Sequence, residues 1–136
     1  MNILVIDAQG GGIGRQVVSA IRDKLPDLTI TAVGTNTTAT SAMLKAGANA
    51  GATGENAVIV GARKADIIIG PIGIVVADSL FGEITPNMAK AVGQSDAKRI
   101  LIPVNHCDNV VVGIQDIGIK GLVEEVVTEL LNSVEH

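Results

Sequence analysis

A glycine run sits directly behind the first apolar stretch, and its chemistry is that of a ligand-binding turn. Asn2-Ile3-Leu4-Val5-Ile6-Asp7 is apolar and β-branched, and Ala8-Gln9-Gly10-Gly11-Gly12-Ile13-Gly14 follows at once. An amphipathic segment begins near Arg15. Glycine lets backbone N–H groups approach a ligand closely, and a helix N-terminus carries about half a positive charge. A strand, a glycine turn and a helix start therefore make a corner suited to an anion. A phosphate, a carboxylate, a nucleotide or a dinucleotide is the expected occupant; the alternative is a tight turn with a purely structural role.

The run departs from both common phosphate signatures. Set against G-x-G-x-x-G, it matches the second and third glycines, but Gln9 replaces the first. No acidic residue closes the second strand to hold a ribose hydroxyl, because Thr35-Asn36 stands there, and no arginine is beside it for a 2′-phosphate. Arg15-Gln16 occupies the place where the Walker pattern requires Lys-Ser/Thr. Asp7 at the strand tip either accepts N–H bonds of its own turn or holds Mg²⁺ or a ribose hydroxyl. Thr35, Asn36, Thr37, Thr38, Thr40 and Ser41 either line a pocket for a polyhydroxyl or phosphate group, or supply a helix cap (Thr37 or Thr38) and a solvated surface. His106-Cys107 invites thiol chemistry, but neighbouring side chains point apart, and a packed cysteine is the favoured reading. Glu83 reads as a solvated side chain near a helix start. With no paired carboxylates, no His/Cys metal spacing and no nucleophile–base pair, no catalytic residue is assigned and no metal site is expected.

The elements that must position these residues alternate. Val17, Val18, Ala20, Ile21 and Leu25 form a helical stripe ended by Pro26-Asp27. Leu28 to Val33 reads as a second strand, Thr38 to Ala46 as a helix stopped by Gly47, and 48–54 as a loop of tiny residues. Glu55 to Lys64 is read as a helix despite its Val58-Ile59-Val60 centre. Asp66 to Gly70 is a third strand, followed by a turn and a helix to about Phe81. Thr85-Pro86 starts a helix running to about Val92. Ile100 to Val104 is a fourth strand and Val110 to Ile114 a short fifth. A final helix carries Ile119, Leu122, Val123, Val126, Val127, Leu130, Leu131 and Val134 on one face. This alternation implies an α/β fold of Rossmann-like type, a three-layer, mostly parallel sheet flanked by helices in the flavodoxin-like order 2-1-3-4-5. One domain over residues 1–136 is expected. The ligand crevice lies at the carboxyl ends of the strands, where the order reverses. The candidate binding residues are Asp7, Gln9, Gly10, Gly11, Gly12, Ile13, Gly14, Gly34, Thr35, Asn36, Gly70, Pro71 and Asn105.

Composition narrows the class further. The chain has 136 residues, 47% of them hydrophobic, yet only one aromatic, Phe81. Val, Ile, Leu and Ala must build the core, as suits a parallel sheet buried on both faces. The mean hydropathy of +0.44 is high, and part of the apolar excess reads as a subunit interface, hence a homo-oligomer. A net charge of −4 with no basic stripe argues against nucleic acid. No stretch approaches the roughly 20 apolar residues of a membrane span, and no signal peptide is expected ahead of the first strand. A lone cysteine excludes an intrachain disulfide and fits a reducing cytoplasm.

Taken together, Gln9-Gly-Gly-Gly-Ile-Gly14, Gly34-Thr-Asn36, Ala39-Thr-Ser-Ala-Met-Leu-Lys-Ala-Gly-Ala-Asn49, Gly51-Ala-Thr-Gly-Glu-Asn56, Gly70-Pro-Ile-Gly73 and Gly82-Glu-Ile-Thr-Pro86 are similar to a family of small proteins from anaerobic bacteria, known as a domain of unknown function. The resemblance spans nearly the whole chain. It implies a stand-alone Rossmann-like protein and no particular activity or catalytic residue. The expected function is a cytoplasmic protein binding a small phosphate or nucleotide ligand at the glycine loop. The alternatives are an enzyme or enzyme subunit completed by a partner chain, and a scaffold with no ligand.

Overall fold

The computed structural model describes residues 1–104 and 108–134. Its strands are β1 (Asn2–Asp7), β2 (Thr29–Gly34), β3 (Ala50–Thr53), β4 (Ile67–Pro71) and β5 (Lys98–Ile102). Its helices are α1 (Gly12–Lys24), α2 (Thr37–Lys45), α3 (Glu55–Lys64), α4 (Pro86–Gln94) and α5 (Gly118–Val134), with a short 3₁₀ turn over Ile72–Val75. The sheet is all parallel in the order β3-β2-β1-β4-β5. The order reverses between β1 and β4, so the carboxyl ends of β1, β2 and β4 face one crevice.

The run β2-β1-β4-β5 stands in the expected order, and the sheet differs from expectation beyond either end of it. At one edge, Ala50–Thr53 is a strand, where a loop is expected. Tiny residues have little strand propensity, but space selects them here. A Cβ on Gly51 would lie 3.0 Å from the Leu44 side chain of α2. Asn49 anchors the edge by donating from its N–H to the Ile30 carbonyl at 2.8 Å and accepting from the Ile30 N–H at 2.8 Å.

At the other edge, Val110–Ile114 forms no strand. Only residues 103–109 separate it from β5, fewer than the dozen or so that a parallel crossover needs. Val110 and Val112 instead stand out in solvent. Further boundaries shift, and the strand expected over Ile100 to Val104 is β5 at Lys98–Ile102, because Lys98 and Arg99 pair with Ile67 and Ile68 of β4. The first helix begins at Gly12, inside the glycine run. The helix expected up to Phe81 is a single 3₁₀ turn followed by non-helical turns, and α4 extends to Gln94.

Two apolar clusters cover the two faces of the sheet. One joins Ile3, Val5, Ile30, Ile69 and Ile102 to α1 and to Val123, Val126, Val127 and Leu130 of α5. The other joins Leu4, Ile6, Val33 and Ile68 to α3, α4 and the anchoring side chains Leu80 and Ile84. Ile119, expected on the buried face of the last helix, is exposed. Among the described residues no helix is long and apolar enough to cross a membrane.

Candidate functional site

Register brings the first polar groups together. Asp7 of β1 pairs with Gly34 of β2, and the Thr35 N–H donates to the Asp7 carbonyl at 3.1 Å. The glycine loop and the Thr35-Asn36 tip therefore lie side by side at the carboxyl end of the sheet.

Asp7 faces inward. Its Oδ1 accepts from the Ala8 N–H at 2.8 Å and its Oδ2 from the Gly14 N–H at 2.7 Å. The residue is 5% exposed. Burial pushes its carboxyl above the ordinary value, and the Glu83 charge adds to this, while the Gly14, Ala8 and Ile13 N–H groups pull against it. Asp7 thus ties the two ends of the glycine turn.

The glycines divide by what surrounds them. Gly11 has φ +73°, and a Cβ there would lie 2.8 Å from the Ala39 backbone. A Cβ on Gly14 would lie 2.9 Å from the Asp7 Cβ and 2.5 Å from the Met43 sulfur. Gly34 is closed by the Thr40 and Asn36 backbones and Gly70 by the Ile6 carbonyl, while Pro71 is buried as the last residue of β4. Ile13 packs partly against the core. Only Gly10 and Gly12 of the loop border open space, with nothing within 4 Å of a Cβ at either. Asn105, the last of the candidate binding residues, lies outside the described residues, as do His106 and Cys107.

What the crevice does hold is Glu83, which is not the solvated side chain expected. Gln9, itself at φ +53°, donates from its N–H to Glu83 Oε1 and Oε2 at 3.2 and 3.1 Å. The Thr35 hydroxyl donates to Oε1 at 2.7 Å, and Asn36 Nδ2 does so at 2.7 Å. Asn36 Nδ2 also donates to the Gln9 carbonyl at 2.9 Å, and its Oδ1 caps α2 by accepting from the Ala39 N–H at 2.9 Å. Partial burial alone would raise the Glu83 carboxyl, but the Thr35, Asn36 and Gln9 donors outweigh it and hold it below the ordinary value.

A strained loop delivers this carboxylate. Asp78, Leu80 and Phe81 have φ +64°, +56° and +57°, a region costly to bulky side chains, and Gly82 follows at +82°. The loop is pinned from within. Asp78 donates from its N–H to the Ile84 carbonyl at 2.7 Å, and the buried Ser79 hydroxyl donates to the Gly73 carbonyl. Leu80 and Ile84 are buried on either side of Glu83, while Phe81 is 97% exposed. No short-range signal marks Glu83, because its partners lie 47, 48 and 74 residues away. The one sequence cue is Gly82, which permits the left-handed turn.

The hydroxyl-rich segment splits three ways. Thr35 goes to Glu83. Thr40 is buried against Thr53 and the Ala52 carbonyl. Thr37, Thr38 and Ser41 line an open cleft of about 410 Å³ with Arg15 and Lys45. A larger groove of about 810 Å³ runs between α1, α2 and α5, with charged residues of both signs on its lining: Arg15, Lys24, Lys45 and Lys120, and Asp23 and Glu124. Sequence reasoning did not anticipate it, because it forms from three helices far apart in the chain. Among the described residues no group of three His, Cys, Asp or Glu is placed to hold a metal ion.

No curated protein matches the chain. Among solved structures, it is similar to a dodecameric FMN-dependent UbiX-like decarboxylase from Escherichia coli O157:H7, at 15% identity and a TM-score of 0.48, over 100% of this chain and 95% of that one. The family model described as domain of unknown function DUF3842 matches residues 2–135, and the chain belongs to that family.

Proposed function

We propose that the protein binds a small phosphate-bearing ligand, a nucleotide among them, in the crevice at the carboxyl ends of β1 and β2. One observation carries this reading. Gln9, Thr35 and Asn36, from two separate strand tips, converge on one fixed carboxylate, while Gly10 and Gly12 beside them border open space. A purely structural turn has no need of both. The Gly10 and Gly12 N–H groups and the dipole of the α1 start would meet the phosphate, the Gly14 N–H being already given to Asp7.

The test is a thermal-shift screen against NAD, NADP, ATP, GTP, FMN, coenzyme A and sugar phosphates, with and without Mg²⁺. A ligand at 100-fold over its Kd adds about 2.7 kcal/mol, a shift of several degrees. A hit abolished by Gly12→Val supports the loop as the phosphate site. A screen in which every compound is silent overturns the reading.

We also infer self-association. Phe81 at 97%, Val110 at 88% and Val112 at 92% exposure leave large apolar side chains in water. A homo-oligomer would cover them and, since Phe81 is two residues from Glu83, would wall the crevice. This is the arrangement required of an enzyme completed by a partner chain. Analytical ultracentrifugation tests it, and a monomer at high concentration rules it out.

A further inference from the structure

We propose that the Glu83 carboxylate is the hydroxyl-recognition point of this crevice, accepting from the 2′-hydroxyl of a ribose whose 5′-phosphate rests against Gly10 and Gly12. The inference rests on the phosphate-ligand reading above and specifies what else the ligand must carry. An ionised carboxylate only accepts hydrogen bonds and has room for about four. Among the described residues, Oε1 takes the Thr35 and Asn36 donors and shares the Gln9 N–H at 3.2 Å, whereas Oε2 takes only that N–H, at 3.1 Å. An acceptor position therefore remains on a carboxylate held by these donors, on a loop that Leu80 and Ile84 anchor on both sides.

The same charge repels any phosphate placed against it, so the ligand group that meets Glu83 must be a donor. Gln9, which touches Glu83, is adjacent in the chain to Gly10. A donor at one and a phosphate at the other thus belong to one compact ligand, and a ribose 5′-phosphate has that form. Folds of this kind commonly hold ribose with an acidic residue at the tip of the second strand. Here that tip is Thr35-Asn36, and Glu83 brings the carboxylate to within 2.7 Å of both. The acid absent from the strand is supplied by a loop 47 residues further on. A 2′-phosphate in the same place would set like charges together, so the site discriminates against it.

The experiment is an NMR titration of backbone amides with AMP, 2′-deoxy-AMP and adenosine 2′,5′-bisphosphate, on the wild type, Glu83→Gln and Gly12→Val. AMP is expected to shift the Gly10, Gly12, Gln9 and Asn36 amides. Removing the 2′-hydroxyl should weaken binding about tenfold, and the 2′-phosphate by at least as much. Glu83→Gln should narrow the gap between AMP and the bisphosphate several-fold. Binding that is sensitive to Gly12→Val but equal for all three nucleotides, or a gap unchanged in Glu83→Gln, overturns the hydroxyl contact and leaves the phosphate site standing. No binding of any of the three, with the seven-ligand screen also silent, overturns both.

Discussion

Asp7 and Glu83 are carboxylates at the same edge of one sheet, and they are held in opposite ways. Asp7 turns inward and takes both its donors from its own turn, at Ala8 and Gly14. Glu83 turns to the crevice and takes its donors from two other strand tips. Burial dominates the first and raises its pKa; hydrogen bonding prevails at the second and lowers it. The difference separates a group that builds the loop from a group the loop presents. It also means that the corner proposed to hold a phosphate already contains an anion of its own, so a phosphate there would sit toward the helix start and away from Gln9.

The largest expected effect breaks the inward member. Asp7→Ala leaves two N–H groups at a buried position without an acceptor, which should cost about 3 kcal/mol in urea denaturation. Glu83→Ala should cost under about 1 kcal/mol, because its half-exposed donors can turn to water. Equal losses would mean that Glu83 is as structural as Asp7, and the crevice would lose its presented acceptor.

Next in size is the split between glycines of one loop. Gly11→Ala forces a Cβ into a left-handed residue and to 2.8 Å from the Ala39 backbone, and should cost about 2 kcal/mol or more. Gly12→Ala meets nothing within 4 Å and should stay within about 0.5 kcal/mol of the wild type. Melting temperatures of the two variants decide it. A comparable loss at Gly12 would remove its value as a binding probe.

The split also shows what the sequence makes legible. Asp7, Gly11 and Gly14 act on their own turn and on the helices beside it, so strand, glycine and helix start in succession reveal them. The central strand order follows from the same short-range signals of buried Ile and Val runs. Glu83 satisfies none of its bonds locally, and in sequence it is one acid ahead of a helix cap. Ala50–Thr53 was hidden for a related reason: its pairing with β2 supplies what its side chains lack. Val110–Ile114 erred the other way, because an apolar alternation carries no information about whether a neighbouring strand edge can be reached.

The two carboxylates should also divide in acid. Glu83 sits below its ordinary 4.5, so its contribution is present above that pH and is lost as pH falls through the lowered pKa. Asp7 sits above its ordinary 3.8, so its contribution is full below that pH and is lost as pH rises through the raised pKa. In urea melts across the acid range, the advantage of wild type over Glu83→Gln should shrink as pH falls, and that over Asp7→Asn should grow. Parallel trends would refute the opposed environments.

The smallest effect concerns the loop that delivers Glu83, and there the sign matters more than the size. Phe81 combines a left-handed backbone with a 97% exposed side chain. Phe81→Gly removes a backbone penalty of about 1–2 kcal/mol. It adds roughly 0.5–1 kcal/mol of unfolded-state entropy. No burial is lost in an isolated chain, so the variant should melt slightly higher than the wild type, by about 0.5 kcal/mol. If another copy covers the ring, the balance reverses, because burying a Phe side chain is worth about 1.5–3 kcal/mol. The variant would then melt lower, and its sedimentation would shift toward a smaller species. A rise in stability with unchanged sedimentation would mean that the strain serves only to aim Glu83 into the crevice. A fall would mean that the same turn places one residue in the ligand site and its neighbour in a subunit interface.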